Sequence, residues 1–168
     1  GNWDISSVTN MNAMFLGTSS FNKSLNDWDT SGVKNMESMF YGASDFNSDI
    51  TSWNTSTVTN MESMFRGATD FNIDLSGWIT SNVTSMNSMF YDASSFNYPV
   101  GLWDVSAVTD MSGMFYNASS FNQSLLVIRV SSFPSRHTTT YCACHCRVSL
   151  PLFTCRWTAG GAPRLSLA

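Results

Sequence analysis

The chain has 168 residues and a mass of 18.6 kDa, which suits one domain or a short array of repeats and leaves no room for several catalytic domains. Apolar residues make up 43% and charged residues 12%, which excludes a solvated acidic coil, and a net charge of −4 offers no electrostatic footprint for gripping a phosphate backbone. No run approaches the ~18 consecutive apolar residues of a spanning helix. The chain opens on Gly1 with no charged segment and apolar run behind it, so it is expected to be a processed or partial product.

Two kinds of sequence are joined. All 12 acidic residues lie before Ile128, against Lys23, Lys34 and Arg66, while the remaining five arginines, with no acid, lie after it. All 10 Met precede this junction, and all 4 Cys and both His follow it.

The first part is periodic. Trp3, Trp28, Trp53, Trp78 and Trp103 stand 25 residues apart without insertion or deletion, and so do Val8 to Val108, Met11 to Met111, the pairs Met14-Phe15 to Met114-Phe115, and Phe21 to Phe121. Leu25, Ile50, Leu75, Val100 and Leu125 complete an apolar set present in every copy. A unit this short cannot enclose a core, but stacked copies superimpose each apolar position on its equivalent and build a continuous interior. The expected fold class is therefore a repeat solenoid over residues 1–127, followed by an irregular, basic, Cys-containing tail over 128–168.

Within each coil, the β-branched stretch Trp-Asp-Thr-Ser-x-Val-Thr-Asn-Met suits a short parallel strand, and Met-x-x-Met-Phe suits a short helical or 3₁₀ turn. Gly17, Gly42, Gly67, Asp92 and Asn117 stand where that turn would end, a place for left-handed backbone. At the ~4.8 Å spacing of paired strands, five such coils span roughly 24 Å. The column Asn22, Asn47, Asn72, Asn97 and Asn122 is expected to cap backbone groups of neighbouring coils, and the column Ser6, Ser31, Ser56, Ser81 and Ser106 to do the same in the turn before Val.

Copies such as Trp53-Asn-Thr-Ser-Thr-Val-Thr-Asn-Met-Glu-Ser-Met-Phe65, followed by Gly67-Ala-Thr-Asp-Phe-Asn72, resemble the repeat of BspA-like surface proteins of microbes. The resemblance runs from Trp3 to about Leu125. It implies a leucine-rich-repeat-like solenoid at the cell surface or outside the cell, used for adhesion or assembly, with no enzymatic activity attached to the repeat; no cofactor is expected.

Functional specificity has to come from columns that vary. Position 16 of the repeat reads Leu16, Tyr41, Arg66, Tyr91 and Tyr116, and position 23 reads Lys23, Ser48, Ile73, Tyr98 and Gln123. Tyr and Arg carry large contact area at low entropic cost and rings stack on sugar faces, so Tyr41, Arg66, Tyr91 and Tyr116 are the candidate binding residues for a protein or glycan. The columns Thr30, Thr55, Thr80 and Thr9, Thr59, Thr84, Thr109 offer a hydroxyl surface, a minor alternative of ice or hydrated-surface binding. The broken column Asp4, Asp29, Asp104 has no accompanying calcium-loop motif, so no metal is expected there.

Catalysis is not expected, because the repeats hold no His and no Cys and their carboxylates sit where other copies are neutral. In the tail, Cys142, Cys144, Cys146 and Cys155 lack the spacing of common zinc sites and read as disulfides or free thiols. The tail itself fits either a C-terminal cap or an out-of-frame extension of the gene. Of five acceptor sequons, Asn22 and Asn122 fall in the structural column, leaving Asn54, Asn82 and Asn117 as the expected glycosylation sites. The leading expectation is a non-enzymatic extracellular or cell-surface adhesion module. A structural subunit assembling head-to-tail into a fibre is the alternative.

Overall fold

The computed structural model describes residues 3–123, Phe153–Arg156 and Arg164–Leu167. Residues 3–123 follow the 25-residue period, each copy lying against the next. The central copy shows the rule. The backbone N–H groups of Met61, Ser63, Phe65 and Gly67 donate to the carbonyls of Ser85, Asn87, Met89 and Tyr91 in the following copy at 2.7–3.0 Å. The N–H groups of Met64, Arg66 and Ala68 donate three residues back, to Met61, Ser63 and Phe65. Successive N–H groups thus alternate between the neighbouring coil and the coil's own turns.

That alternation corrects the expected strand-plus-helix coil. Among the described residues there is no helix, and the only strands are β1 (Phe153–Arg156) and β2 (Arg164–Leu167) in the tail, an antiparallel pair in the register Phe153↔Leu167 to Arg156↔Arg164. Between coils, strand-like pairing shrinks to the isolated parallel bridges Asn10↔Asn35, Asn35↔Asn60, Asn60↔Ser85 and Ser85↔Asp110.

Two local causes account for the difference. In Met-x-x-Met-Phe, the third residue has left-handed backbone in every copy, with φ of 55° at Ala13, 53° at Ser38, 52° at Ser63, 54° at Ser88 and 65° at Gly113, which no right-handed helix admits. This residue and the one at position 17 each stand third in a four-residue turn, where a type II turn requires positive φ. In the expected strand, a tight turn closes instead, with Val58 N–H donating to Thr55 O and its equivalents doing the same from Val8 to Val108.

Asx turns reinforce that corner. Asp4, Asp29, Asn54 and Asp104 accept the backbone N–H two residues on, from Ser6, Ser31, Ser56 and Ser106, at 2.9–3.1 Å. Ser6, Ser31, Ser56 and Ser106 therefore bond within their own coils and do not cap the neighbour as expected. The Asn column does: Asn47, Asn72, Asn97 and Asn122 each donate a backbone N–H to the Oδ1 of the preceding Asn at 2.9–3.0 Å.

Behind these bonds lies one core, built from the columns expected of it. Phe40, Phe46, Phe65, Phe71, Phe90 and Phe96 are wholly buried, as are the Met and Val residues of the central coils. Phe15, Phe40, Phe65, Phe90 and Phe115 stack at 5.4–5.7 Å between centroids, and each leans on the second Phe of its own coil at 3.8–4.1 Å. Such ring pairs add about 0.5–1.5 kcal/mol beyond the area they bury. The indole N–H of Trp53, Trp78 and Trp103 donates back to the carbonyls of Leu25, Ile50 and Leu75, so the rings enter the core without an orphaned donor. A buried column not anticipated from the sequence, Ala43, Ala68, Ala93 and Ala118, joins the core, each N–H donating to the carbonyl of the Phe three residues back. Leu125 and the tail cysteines other than Cys155 lie outside the described residues; Cys155 is paired in register with Leu165.

Three outcomes follow from this architecture. Phe65→Ala removes a ring packed on Phe40, Phe71 and Phe90 and should cost about 3–5 kcal/mol in chemical denaturation, whereas Tyr91→Ala should cost well under half of that. Gly67 has φ of 70°, and a Cβ there would meet nothing closer than the Gly42 Cα at 3.7 Å. Gly67→Ala should therefore cost only the conformational penalty, about 1–2 kcal/mol, and Gly67→Asn less, because Asn117 already occupies the equivalent place. The third concerns acid. Hydrogen bonds from the Ser6 and Ser31 side chains and backbones hold the Asp4 and Asp29 carboxyls below their ordinary 3.8. The backbone N–H and then the hydroxyl of Thr51 do the same for Asp49, and Ser112 for Asp110. Depressed carboxylates stabilise the fold above 3.8 and lose that contribution as pH falls through their lower folded values. The melting temperature should hold from pH 7 to pH 5 and fall below pH 3.8, and Asp49→Asn, which keeps the acceptor and cannot protonate, should reduce that fall.

Candidate binding face

Position 16 follows the left-handed residue by three and precedes Gly17 or its equivalent by one, so its backbone is held by a turn on each side. In the central coil the Arg66 N–H donates to Ser63 O, and its carbonyl accepts from Gly42 N–H of the preceding coil. The side chain is thus fixed at its root and projects from the coil wall.

The four candidate residues form one continuous pile. The Arg66 guanidinium lies between two rings, its Cζ 4.1 Å from the centroid of Tyr91 and 5.5 Å from that of Tyr41, and Tyr91 stacks on Tyr116 at 4.6 Å with 21° between planes. Tyr41 and Tyr116 are exposed, Arg66 and Tyr91 half-buried by their neighbours, and Leu16 continues the column as an exposed aliphatic. Within the pile the facing sides of Arg66, Tyr91 and Tyr116 are taken up by one another, while Tyr41 and Tyr116 at its two ends remain the more exposed rings. Position 23 forms no such pile. Lys23 and Tyr98 are exposed, Ser48 and Ile73 half-buried, and the Gln123 amide donates to Asn97.

The hydroxyl surface is only half what the sequence suggests. Thr30, Thr55 and Thr80 are buried, at most 2% exposed, with their hydroxyls donating to the carbonyls of Asn54, Ile79 and Asp104 in the next coil. They belong to the interior, in the column that Ile5 and Val105 complete. Thr9, Thr59, Thr84 and Thr109 are exposed, and the last three donate to the carbonyl one coil back at 3.0–3.1 Å. Their hydroxyl hydrogens are spent on the backbone.

The sequon asparagines Asn54, Asn82 and Asn117 are all exposed, and each is engaged: Asn54 in its Asx turn, Asn82 donating to Ser56 O, and Asn117 donating to Asp92 Oδ1 from a left-handed backbone. A polar column missed from the sequence runs beside the bridges. Asn35 and Asn60 accept the N–H two residues on, and the Asn60 amide donates to Glu37 one coil back. The signal for it was the Asn-Met-Glu that recurs at the same offset in two copies. Among the described residues no three His, Cys, Asp or Glu side chains come together as a metal site, and no helix is long and apolar enough to cross a membrane.

Comparison with curated proteins and with solved structures finds no match. Two overlapping stretches, residues 1–83 and 50–145, match the family described as Mycoplasma protein of unknown function, DUF285. Their starting points differ by 49 residues, close to two periods of the repeat, as expected when one family pattern is laid on a chain of equivalent coils. Between them the matches cover most of the 168 residues, and the chain belongs to this family.

Proposed function

We propose that the chain is a non-enzymatic binding module that works at the cell surface or outside the cell and meets an extended partner along the Tyr41–Arg66–Tyr91–Tyr116 ladder. The observation that carries this reading is the continuity of the pile. Four side chains from four successive coils touch in one line, on a wall whose buried columns are fixed by stacking and free of any partner's demands. Each coil repeats a similar contact, so a long ligand gains from several weak interactions at once. The likeness of the repeat to BspA-like surface proteins supports the same placement and the adhesive role.

The fibre alternative needs two open ends that fit each other. In the first described coil Trp3 is 60% exposed, and Met14 and Leu16 also reach solvent. In the fifth coil Met114, Phe115 and Phe121 are buried, while Leu102 is 77% exposed. The ice reading loses one of its two columns to the core.

Tyr91→Ala with Tyr116→Ala should weaken adhesion to the recognised surface at least tenfold and leave the melting temperature within about 2 °C, since neither ring belongs to the Phe core. Unchanged adhesion in the double variant, with Thr59→Ala and Thr84→Ala abolishing it instead, would move the binding face to the hydroxyl column.

A further inference from the structure

We infer that Arg66 reads a single carboxylate on the ligand, and that the ligand is an acidic polysaccharide carrying carboxylates on widely spaced sugars. The inference rests on the ladder being the binding face and names the chemistry that it recognises. Arg66 is one of three cations among the first 127 residues, which hold all 12 carboxylates. It nevertheless makes no ion pair and no hydrogen bond with a described side chain; its side-chain partners are the two rings that sandwich it.

Ring contacts occupy the faces of a guanidinium and leave its N–H groups, which lie in the plane, unspent. No buried side-chain nitrogen or oxygen among the described residues lacks a partner, so these N–H groups reach solvent. The sandwich also removes rotamer freedom before any ligand arrives. The result is a planar fork held between the rings of Tyr41 and Tyr91, suited to bidentate pairing with one carboxylate.

The surroundings define the rest of the ligand. A densely sulfated polymer would place charge after charge along an array of repeats that holds 12 carboxylates against three cations, and like charges juxtaposed across an interface are strongly unfavourable. An acidic peptide in extended form repeats side chains of one face about every 6.6 Å, out of step with ring-to-ring and ring-to-guanidinium spacings of 4.1–5.5 Å. A polysaccharide offers hydroxyl and ring oxygens on every unit without that alternation, and occasional carboxylates satisfy one fork without adding much charge to an array rich in acids.

The test uses the full chain on an array of uronic-acid and sialic-acid glycans, each paired with its carboxyl-reduced neutral form, with heparin and poly-glutamate as further probes. Binding to carboxylated glycans at least tenfold above their reduced forms is expected, as is a tenfold or greater loss for both Arg66→Gln and Arg66→Lys at unchanged melting temperature. Lys keeps the charge and lacks the fork, so an Arg66→Lys variant that binds normally would overturn bidentate reading. Equal binding of reduced and carboxylated forms, abolished by the Tyr91 and Tyr116 double variant, would sink the carboxylate inference and keep the ladder. Preference for poly-glutamate would reassign the ligand to an acidic protein, preference for heparin would overturn the argument from charge, and no binding to any carboxylated glycan would overturn the proposal.

Discussion

The structure depends on one constraint: every second backbone N–H between positions 11 and 17 of the repeat must find a carbonyl in the next coil. That requirement sets the stacking distance and fixes register, so that Trp meets Trp, Phe meets Phe and Asn meets Asn along the whole array. A regular strand would make such bonds along its length, and a helix would make none. The coil does neither, because turns claim the intervening N–H groups. Burial is then cooperative, since no coil completes a core without its neighbours.

Much of this was legible in the residues. The apolar columns, the inward Phe pairs, the Asn caps and the left-handed place of Gly67, Asp92 and Asn117 all follow from identity and offset. The secondary structure did not, for a definite reason. A spacing of three and four between Met61, Met64 and Phe65 brings side chains to one side in a helical turn, and it does the same in a run of linked four-residue turns. The two differ in the sign of one φ angle, at Ser63, and neither Ser nor Ala announces a left-handed backbone in the way that Gly does. Within the column itself Gly113 was the hint, seen in one copy.

The candidate face was legible by composition, and the stacking along it was not. A Tyr–Arg column identifies a wall rich in contact groups, but whether rings offer faces or edges is decided by the coil spacing, which brings Tyr91 and Tyr116 close enough to stack. The Thr30 column failed differently. A β-branched hydroxyl reads as an outward strand residue, yet its hydroxyl satisfies a carbonyl of the adjacent coil while its methyl joins the core beside Ile5 and Val105. Such residues serve both the polar ladder and the apolar interior.

The alternation of N–H groups also governs how a chain of this kind can change over generations. Losing one residue between Met61 and Gly67 would shift every later N–H by one place, sending to the neighbour those that close turns and to the turns those that reach the neighbour, while turning Met and Phe outward. Substitutions on the wall leave that parity intact, and whole 25-residue units restore it. The array can therefore lengthen or shorten by duplication and loss of entire copies, and its surface can diversify freely, while the spacing within a copy stays frozen.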